Sequence, residues 1–128
     1  MVLYNTIMLI DDDEDDREIF SSAISRIDGI DVFCEFECPI LAYEALDTRQ
    51  VEPDIIFLDL NMPKMNGVEL LKKIKEHPAL AQIPVVIFST SSNYKNIKET
   101  MDLGALDYIT KPYKFQELLQ VLNRLFAQ

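Results

Sequence analysis

Three carboxylates, a hydroxyl and an ammonium stand at the ends of short apolar runs in this sequence. Asp11 and Asp12 follow Ile7-Met8-Leu9-Ile10, and Asp59 follows Ile55-Ile56-Phe57-Leu58, with Asn61 two residues on. Ser89 follows Val85-Val86-Ile87-Phe88, and Lys111-Pro112 follows Asp107-Tyr108-Ile109-Thr110. Three ionised carboxylates sharing one site raise each other's pKa or demand a cation. An oxygen-only donor set selects a hard divalent ion, and Mg²⁺ is held through one or two carboxylates with several waters retained. Lys111 adds a fixed positive charge. A place that holds Mg²⁺ between carboxylates and also receives an anion is suited to phosphoryl transfer, with Asp59 as the candidate nucleophile and an aspartyl phosphate as its product.

Taken singly, each of these residues has a plainer use. The acids from Asp11 to Asp16 suit a solvated helix N-terminus, where negative charge complements the macrodipole. That plain use is the expected one for Asp13 to Asp16. Asp59 alone could cap a turn or helix, Ser89 could be a turn residue and Lys111 a surface lysine. Their joint placement outweighs the separate uses, so the elements that would position them matter.

The three strongest apolar runs are four residues long, rich in β-branched or aromatic types, and each ends abruptly at a polar residue. Runs of this kind suit strands buried on both faces, as in a parallel sheet. Weaker strand candidates are 31–36 and 107–110. Between them lie helix-period stretches. Ile19, Phe20, Ala23, Ile24 and Ile27 share one face, as do Phe115, Leu118, Leu119, Leu122, Leu125 and Phe126. Leu70, Leu71 and Ile74 repeat the pattern after Gly67 and end before Pro78. A helix over 40–46 is opened by Pro39, and a more polar one over 94–103 has Ser91-Ser92-Asn93 available as a cap and Gly104 to end it. The order βαβαβαβαβα implies an α/β fold with a parallel sheet, right-handed crossovers and helices on both faces. In such folds ligands bind outside the carboxyl ends of the strands, where the residues named above stand.

Composition narrows the remaining choices. The chain has 128 residues, enough for one domain with one sizeable core, and 48% are hydrophobic and 27% charged, which excludes a disordered chain. The net charge is −10, and six of the 22 acids are consecutive, so nucleic-acid binding is not expected. Two cysteines, Cys34 and Cys38, and one histidine, His77, are too few for a structural zinc site or a disulfide framework. The cysteines read as small buried residues in a reducing compartment. No apolar run approaches the roughly 20 residues of a membrane helix, and MVLYNTIMLI lacks a basic start and a small-residue cleavage site. A cytoplasmic location without membrane contact is expected.

LIDDDEDD, FLDLNMPKMNGVELLKKIK, PVVIFSTSS and GALDYITKPY resemble, in this order and over essentially the whole chain, the receiver domain of two-component response regulators. The resemblance implies a flavodoxin-like (βα)5 three-layer sandwich whose five-stranded parallel sheet has the family's order 2-1-3-4-5. It makes Asp59 the phosphoacceptor. It makes Asp12 a direct Mg²⁺ ligand, Asp11 a ligand largely through water, and Asn61 a ligand through its backbone carbonyl. Ser89 would hydrogen-bond the phosphoryl group, Lys111 would pair with it, and Tyr108 would be the aromatic switch whose ring moves inward. The Lys111-Pro112 bond would be cis, as is usual in the family. The stretch Asp11-Asp12-Asp13 offers two possible acidic pairs; the first is preferred because Ile10 ends the apolar run.

The same resemblance implies a histidine kinase or phosphotransfer protein as donor, a downstream protein target, and a monomer or a phosphorylation-dependent homodimer. It implies self-catalysed modification and loss of the phosphoryl group, not turnover of a substrate. A single receiver over 1–128 with no output domain is expected. STSSN, LDLNMPKMNG and EHPALAQIP look most like small regulators paired with bacterial phytochromes. Two other classes use similar parts. A haloacid-dehalogenase-type phosphatase normally has a second acid two residues after its nucleophile, where this chain has Asn61. A flavodoxin cradles a phosphate after its first strand, where this chain has six acids. A protein-interaction module that needs no phosphate is argued against by the presence of Asp59, Lys111 and Ser89.

Overall fold

A computed structural model of the chain describes residues 4–63 and 65–126. Five strands alternate with five helices: β1 (Thr6–Ile10), α1 (Glu14–Ile24), β2 (Val32–Phe36), α2 (Pro39–Asp47), β3 (Ile55–Leu58), α3 (Gly67–Glu76), β4 (Val85–Ser89), α4 (Tyr94–Asp102), β5 (Asp107–Thr110) and α5 (Phe115–Phe126). All pairings are parallel and the sheet order is β2-β1-β3-β4-β5, as the resemblance implies.

The short apolar runs are the middle of that sheet. Ile7–Ile10, Ile55–Leu58 and Val85–Val86-Ile87 are fully buried because each strand has a helix layer on either side. Successive side chains point to opposite faces, so one run feeds two cores. Met8, Ile10, Ile56, Leu58, Val85 and Ile87 pack with Ala42 and Leu46 of α2 and Leu70, Leu71 and Ile74 of α3. Ile7, Leu9, Ile55, Phe57, Val86 and Phe88 pack with Phe20 and Ala23 of α1 and Leu118, Leu122 and Phe126 of α5. The edge strands β2 and β5 are only half-covered, which is why their sequences alternate more and carry Glu35 and Asp107.

Helix ends follow from side-chain caps. Asp13 accepts from the Asp16 N–H (3.2 Å) to open α1, Asn66 accepts from Glu69 (2.9 Å) to open α3, and Asn93 accepts from Lys95 (2.7 Å) to open α4. Pro39 is the first residue of α2, where its missing N–H costs nothing. Gly104, at φ 103°, turns the chain after α4.

Four expectations need correction. Ile19 is 48% exposed: it stands about a quarter turn off the stripe formed by Phe20, Ala23 and Ile24. Ile27 lies in the turn after α1, although it is buried there. Both cysteines are half-buried and free, because β2 is an edge strand and Cys38 caps α2 from outside. No peptide bond among the described residues is cis, so Lys111-Pro112 is trans. An X–Pro bond left to its local preference favours trans by about 0.5–1 kcal/mol, and nothing in the Lys-Pro sequence itself opposes that.

Candidate functional site

The carboxyl ends of β1, β3, β4 and β5 are adjacent or nearly so in the sheet, so the residues that close those strands meet at one edge. Asp11 is fully buried. Its N–H donates to the Phe36 carbonyl (3.0 Å), which carries the β1–β2 ladder one step past the strand. Its carbonyl accepts from the Arg17 guanidinium (2.9 Å). Arg17 is in turn paired with Glu35 (3.2 Å) and Glu37 (3.7 Å), so α1 and β2 together fix the backbone at this point. Asp59 is also buried, and its N–H donates to the Ile10 carbonyl (3.0 Å). Asp12 is exposed beside them. Carboxylate oxygens of Asp11, Asp12 and Asp59 lie within 4.8 Å of one another.

Gly67 explains how the Asp59 loop is held so close to α3. Its N–H donates to the Leu60 carbonyl (2.9 Å), and a Cβ there would stand 2.3 Å from the Asp59 carbonyl oxygen and 2.7 Å from the Leu60 Cα. Only a residue without a side chain permits that approach.

Lys111 supplies the counter-charge. Its N–H donates to the Ser89 carbonyl (2.7 Å), and its Nζ donates to Asp11 Oδ2 (2.8 Å) and Asp16 Oδ2 (2.7 Å). Asp59 Oδ1 is 3.8 Å from the same ammonium, an ion pair beyond hydrogen-bond distance. The lysine also lies over the Phe88 ring, 5.7 Å from its centroid. The second oxygen of Asp11 accepts from the Asp13 N–H (3.0 Å).

The electrostatics follow from burial and crowding. Burial, reinforced by Asp11 and then Asp12, pushes the Asp59 carboxyl up to about 7, against the opposing pull of Lys111 and the Asn61 N–H. Asp11 is raised as well, chiefly by burial, although Lys111 and the Asp13 N–H work the other way. Burial disfavours the Lys111 ammonium, but its hydrogen bonds to Asp11 and Asp16 outweigh that and raise it. A buried carboxyl that cannot ionise comfortably beside two others is what a divalent cation relieves. Three hard oxygen donors within reach of one another suit Mg²⁺ or a similar ion, so the donor set fits the expected metal.

Ser89 is buried at the end of β4, and its hydroxyl accepts from the Ser91 N–H (3.2 Å). Tyr108, half-buried on β5, donates its phenol to the Ser91 carbonyl (2.7 Å). Ser91 also accepts from the Asn93 N–H and the Asn96 side chain through its own hydroxyl. The loop from Ser89 to Asn93 is thus tied both to the site and to Tyr108. Asn61 is exposed, and it touches Asp59 through its N–H. The structure uses Asp13 as the α1 cap and brings Asp11 and Asp12 to Asp59. A shallow cavity of about 340 Å³ lies against Asp12, lined also by Glu37, Cys38, Pro39 and Pro63.

Sequence reading missed Asp16, which it assigned to solvent. One signal was present: Asp16 stands four residues before Phe20, so the inward stripe of α1, extended back one turn, ends on it.

A family model described as the response regulator receiver domain matches residues 7–123. The rice (Oryza sativa subsp. japonica) two-component response regulator ORR12 is 35% identical over 91% of this chain and 94% of its own length. The chain also matches the regulatory protein AtoC of Escherichia coli, spanning about a quarter (26%) of that longer protein. Among solved structures, the phosphorylated cyanobacterial phytochrome response regulator RcpA superposes with a TM-score of 0.87 at 31% identity, covering 95% of this chain and 91% of that one. The Mn²⁺-bound response regulator Rcp1 does so at 0.84 and 28%, covering 94% and 91%.

Proposed function

Since this chain belongs to the family of response regulator receiver domains, which are signalling domains, we propose that it is a phosphoacceptor switch in which Asp59 takes the phosphoryl group. The observation that carries this reading is the setting of Asp59, a buried carboxylate between Asp11, Asp12 and Lys111 at the carboxyl edge of the sheet. The donor is a phosphohistidine of a sensor kinase or phosphotransfer protein. An Asp59 carboxylate oxygen attacks phosphorus in line, the O–P bond forms as the P–N bond breaks, and the imidazole leaves with that bond's electron pair. Hydrolysis of the acyl phosphate restores Asp59. No small-molecule substrate is turned over.

Asp11, Asp12, Asp59 and the Asn61 carbonyl are the residues that would hold Mg²⁺. When bound, the ion offsets negative charge on the transferring group and keeps Asp59 ionised at neutral pH. Lys111 and the Ser89 hydroxyl neutralise the equatorial oxygens. Pulling Ser89 toward the phosphoryl group tightens the loop through Ser91, to which Tyr108 is already bonded, and the Tyr108 face of the domain becomes the readout.

The resemblance to the phytochrome response regulator RcpA supports a regulator served by a phytochrome-type kinase, and on the same reading the chain acts in the cytoplasm through protein contacts, as a monomer or a phosphorylation-dependent homodimer. Among the described residues no helix is long and apolar enough to cross a membrane.

Intact mass after incubation with acetyl phosphate, with and without Mg²⁺, tests the reading. A single Mg²⁺-dependent, base-labile phosphoryl adduct is expected, absent from Asp59→Asn. An adduct that persists in Asp59→Asn, or one indifferent to Mg²⁺, would overturn it.

A further inference from the structure

Asp16 is the acid that neither the helix cap nor the metal cluster accounts for. Asp13 caps α1 with its own carboxylate, while Glu14 and Asp15 are exposed and have no partner among the described side-chain hydrogen bonds and ion pairs. Asp16 turns inward instead. Its carboxylate lies 2.7 Å from the Lys111 ammonium, and the two side chains are 31% and 10% exposed. Both backbones are pinned: the Asp16 N–H by the Asp13 cap, and the Lys111 N–H by the Ser89 carbonyl. The ammonium has three donors. Two go to Asp11 and Asp16, and Asp59 is left 3.8 Å away.

We infer that Asp16 is a positioning residue that retains Lys111 in the unmodified protein and has to release it when Asp59 carries a phosphoryl group. This rests on the phosphoacceptor reading above. A phosphoryl oxygen on Asp59 needs a donor from Lys111. The Asp11 bond can persist through that movement, because Asp11 closes β1, the strand paired with β3 that Asp59 closes, so its buried carboxylate stays in reach. The Asp16 bond reaches across to α1 on the other side of the lysine and competes with the new one. Asp16 therefore weights the equilibrium toward the unmodified state, and a neutral residue there releases the weight.

The test uses the full chain and fluoroberyllate, a phosphoryl-like anion, titrated at saturating Mg²⁺ and followed by ¹H–¹⁵N NMR. Asp16→Asn should tighten fluoroberyllate binding by roughly three- to tenfold, the range of one partly exposed charge-assisted contact. Asp15→Asn removes the same charge one residue away with no lysine contact, and should change binding less than about twofold, as screened surface charge does. Asp16→Glu should restore the original affinity. In a Lys111→Met background, Asp16→Asn should act no more strongly than Asp15→Asn. Without anion or metal, Asp16→Asn and not Asp15→Asn should shift the Lys111 side-chain ammonium signal. Equal effects of Asp15→Asn and Asp16→Asn, or an Asp16→Asn effect that survives loss of Lys111, would overturn the clamp and leave the phosphoacceptor reading intact. No fluoroberyllate binding to the unmutated chain would instead overturn the phosphoacceptor reading, and the clamp with it.

Discussion

On the phosphoacceptor reading, Asp59 combines two conditions that oppose each other: it must be buried to be held in line and ionised to attack. The fold sets the first against the second, pushing the carboxyl up to about 7. A carboxyl whose folded pKa lies above its unfolded value binds more protons when folded, so its contribution is fully favourable below about pH 4 and is lost as pH rises toward 7. Asn in its place resembles the protonated form and keeps Lys111 on Asp11 and Asp16. Asp59→Asn should therefore raise the metal-free protein's unfolding free energy by roughly 2–4 kcal/mol at pH 8 and by about half that or less at pH 5. Urea unfolding at the two pH values measures it; a gain equal at both would assign the effect to something other than ionisation of Asp59. None of this cost shows in the sequence, where Asp59 is one acid after an apolar run. That the candidate residues meet at the strand ends was legible from their positions, but which of them crowd one another, and that Lys111 bonds Asp11 and Asp16 and not Asp59, depends on packing between strand ends and α1.

At the scale of elements, the central strands were legible because burial on both faces leaves an uninterrupted β-branched and aromatic run. β3 and β5 have the bounds the sequence suggests, and β1, β2 and β4 differ by one residue at one end. Helix stripes were less sharp: Ile19 scans as part of α1's apolar face yet stands at its margin in water. Two positions join element geometry to measurable energy. Gly67 opens α3 directly beneath the Asp59 loop, and an added Cβ would meet backbone atoms that no side-chain movement can clear. Gly67→Ala should lose about 2–3 kcal/mol of stability and slow acetyl phosphate labelling of Asp59 through displacement of its carbonyl. A variant with unchanged urea midpoint and labelling rate would show that the loop yields freely. Arg49, two residues past α2, has φ 63°, a left-handed conformation that disfavours a side chain, and its exposed pair with Glu52 offsets little. Arg49→Gly should gain about 0.5–1 kcal/mol, read as a rise in Tm of a few degrees with labelling unchanged.

Over the whole molecule, the net charge of −10 is unevenly distributed: six acids form one run at the edge where β1, β3, β4 and β5 end. The fold consequently holds like charges together at the candidate site. On the phosphoacceptor reading, activity and stability are opposed there, and a bound divalent ion would relieve both. Monovalent salt screens exposed charges beyond roughly 10 Å at 0.1 M, but it reaches buried pairs poorly. The metal-free protein should thus be stabilised only modestly by NaCl. A divalent ion seated among Asp11, Asp12 and Asp59 would act differently, because a site assembled by folding favours the folded state and ionised Asp59. At about a hundred times its dissociation constant such an ion adds about 2.7 kcal/mol. Its effect must also grow with pH from 5 to 8, since at the lower pH it displaces a proton from Asp59 and at the higher pH it does not. Thermal unfolding with Mg²⁺ and with NaCl at matched ionic strength, at both pH values, separates the two contributions. A larger Tm gain from Mg²⁺, rising with pH, is expected; equal gains from both salts would mean that the acidic edge attracts cations diffusely and builds no site.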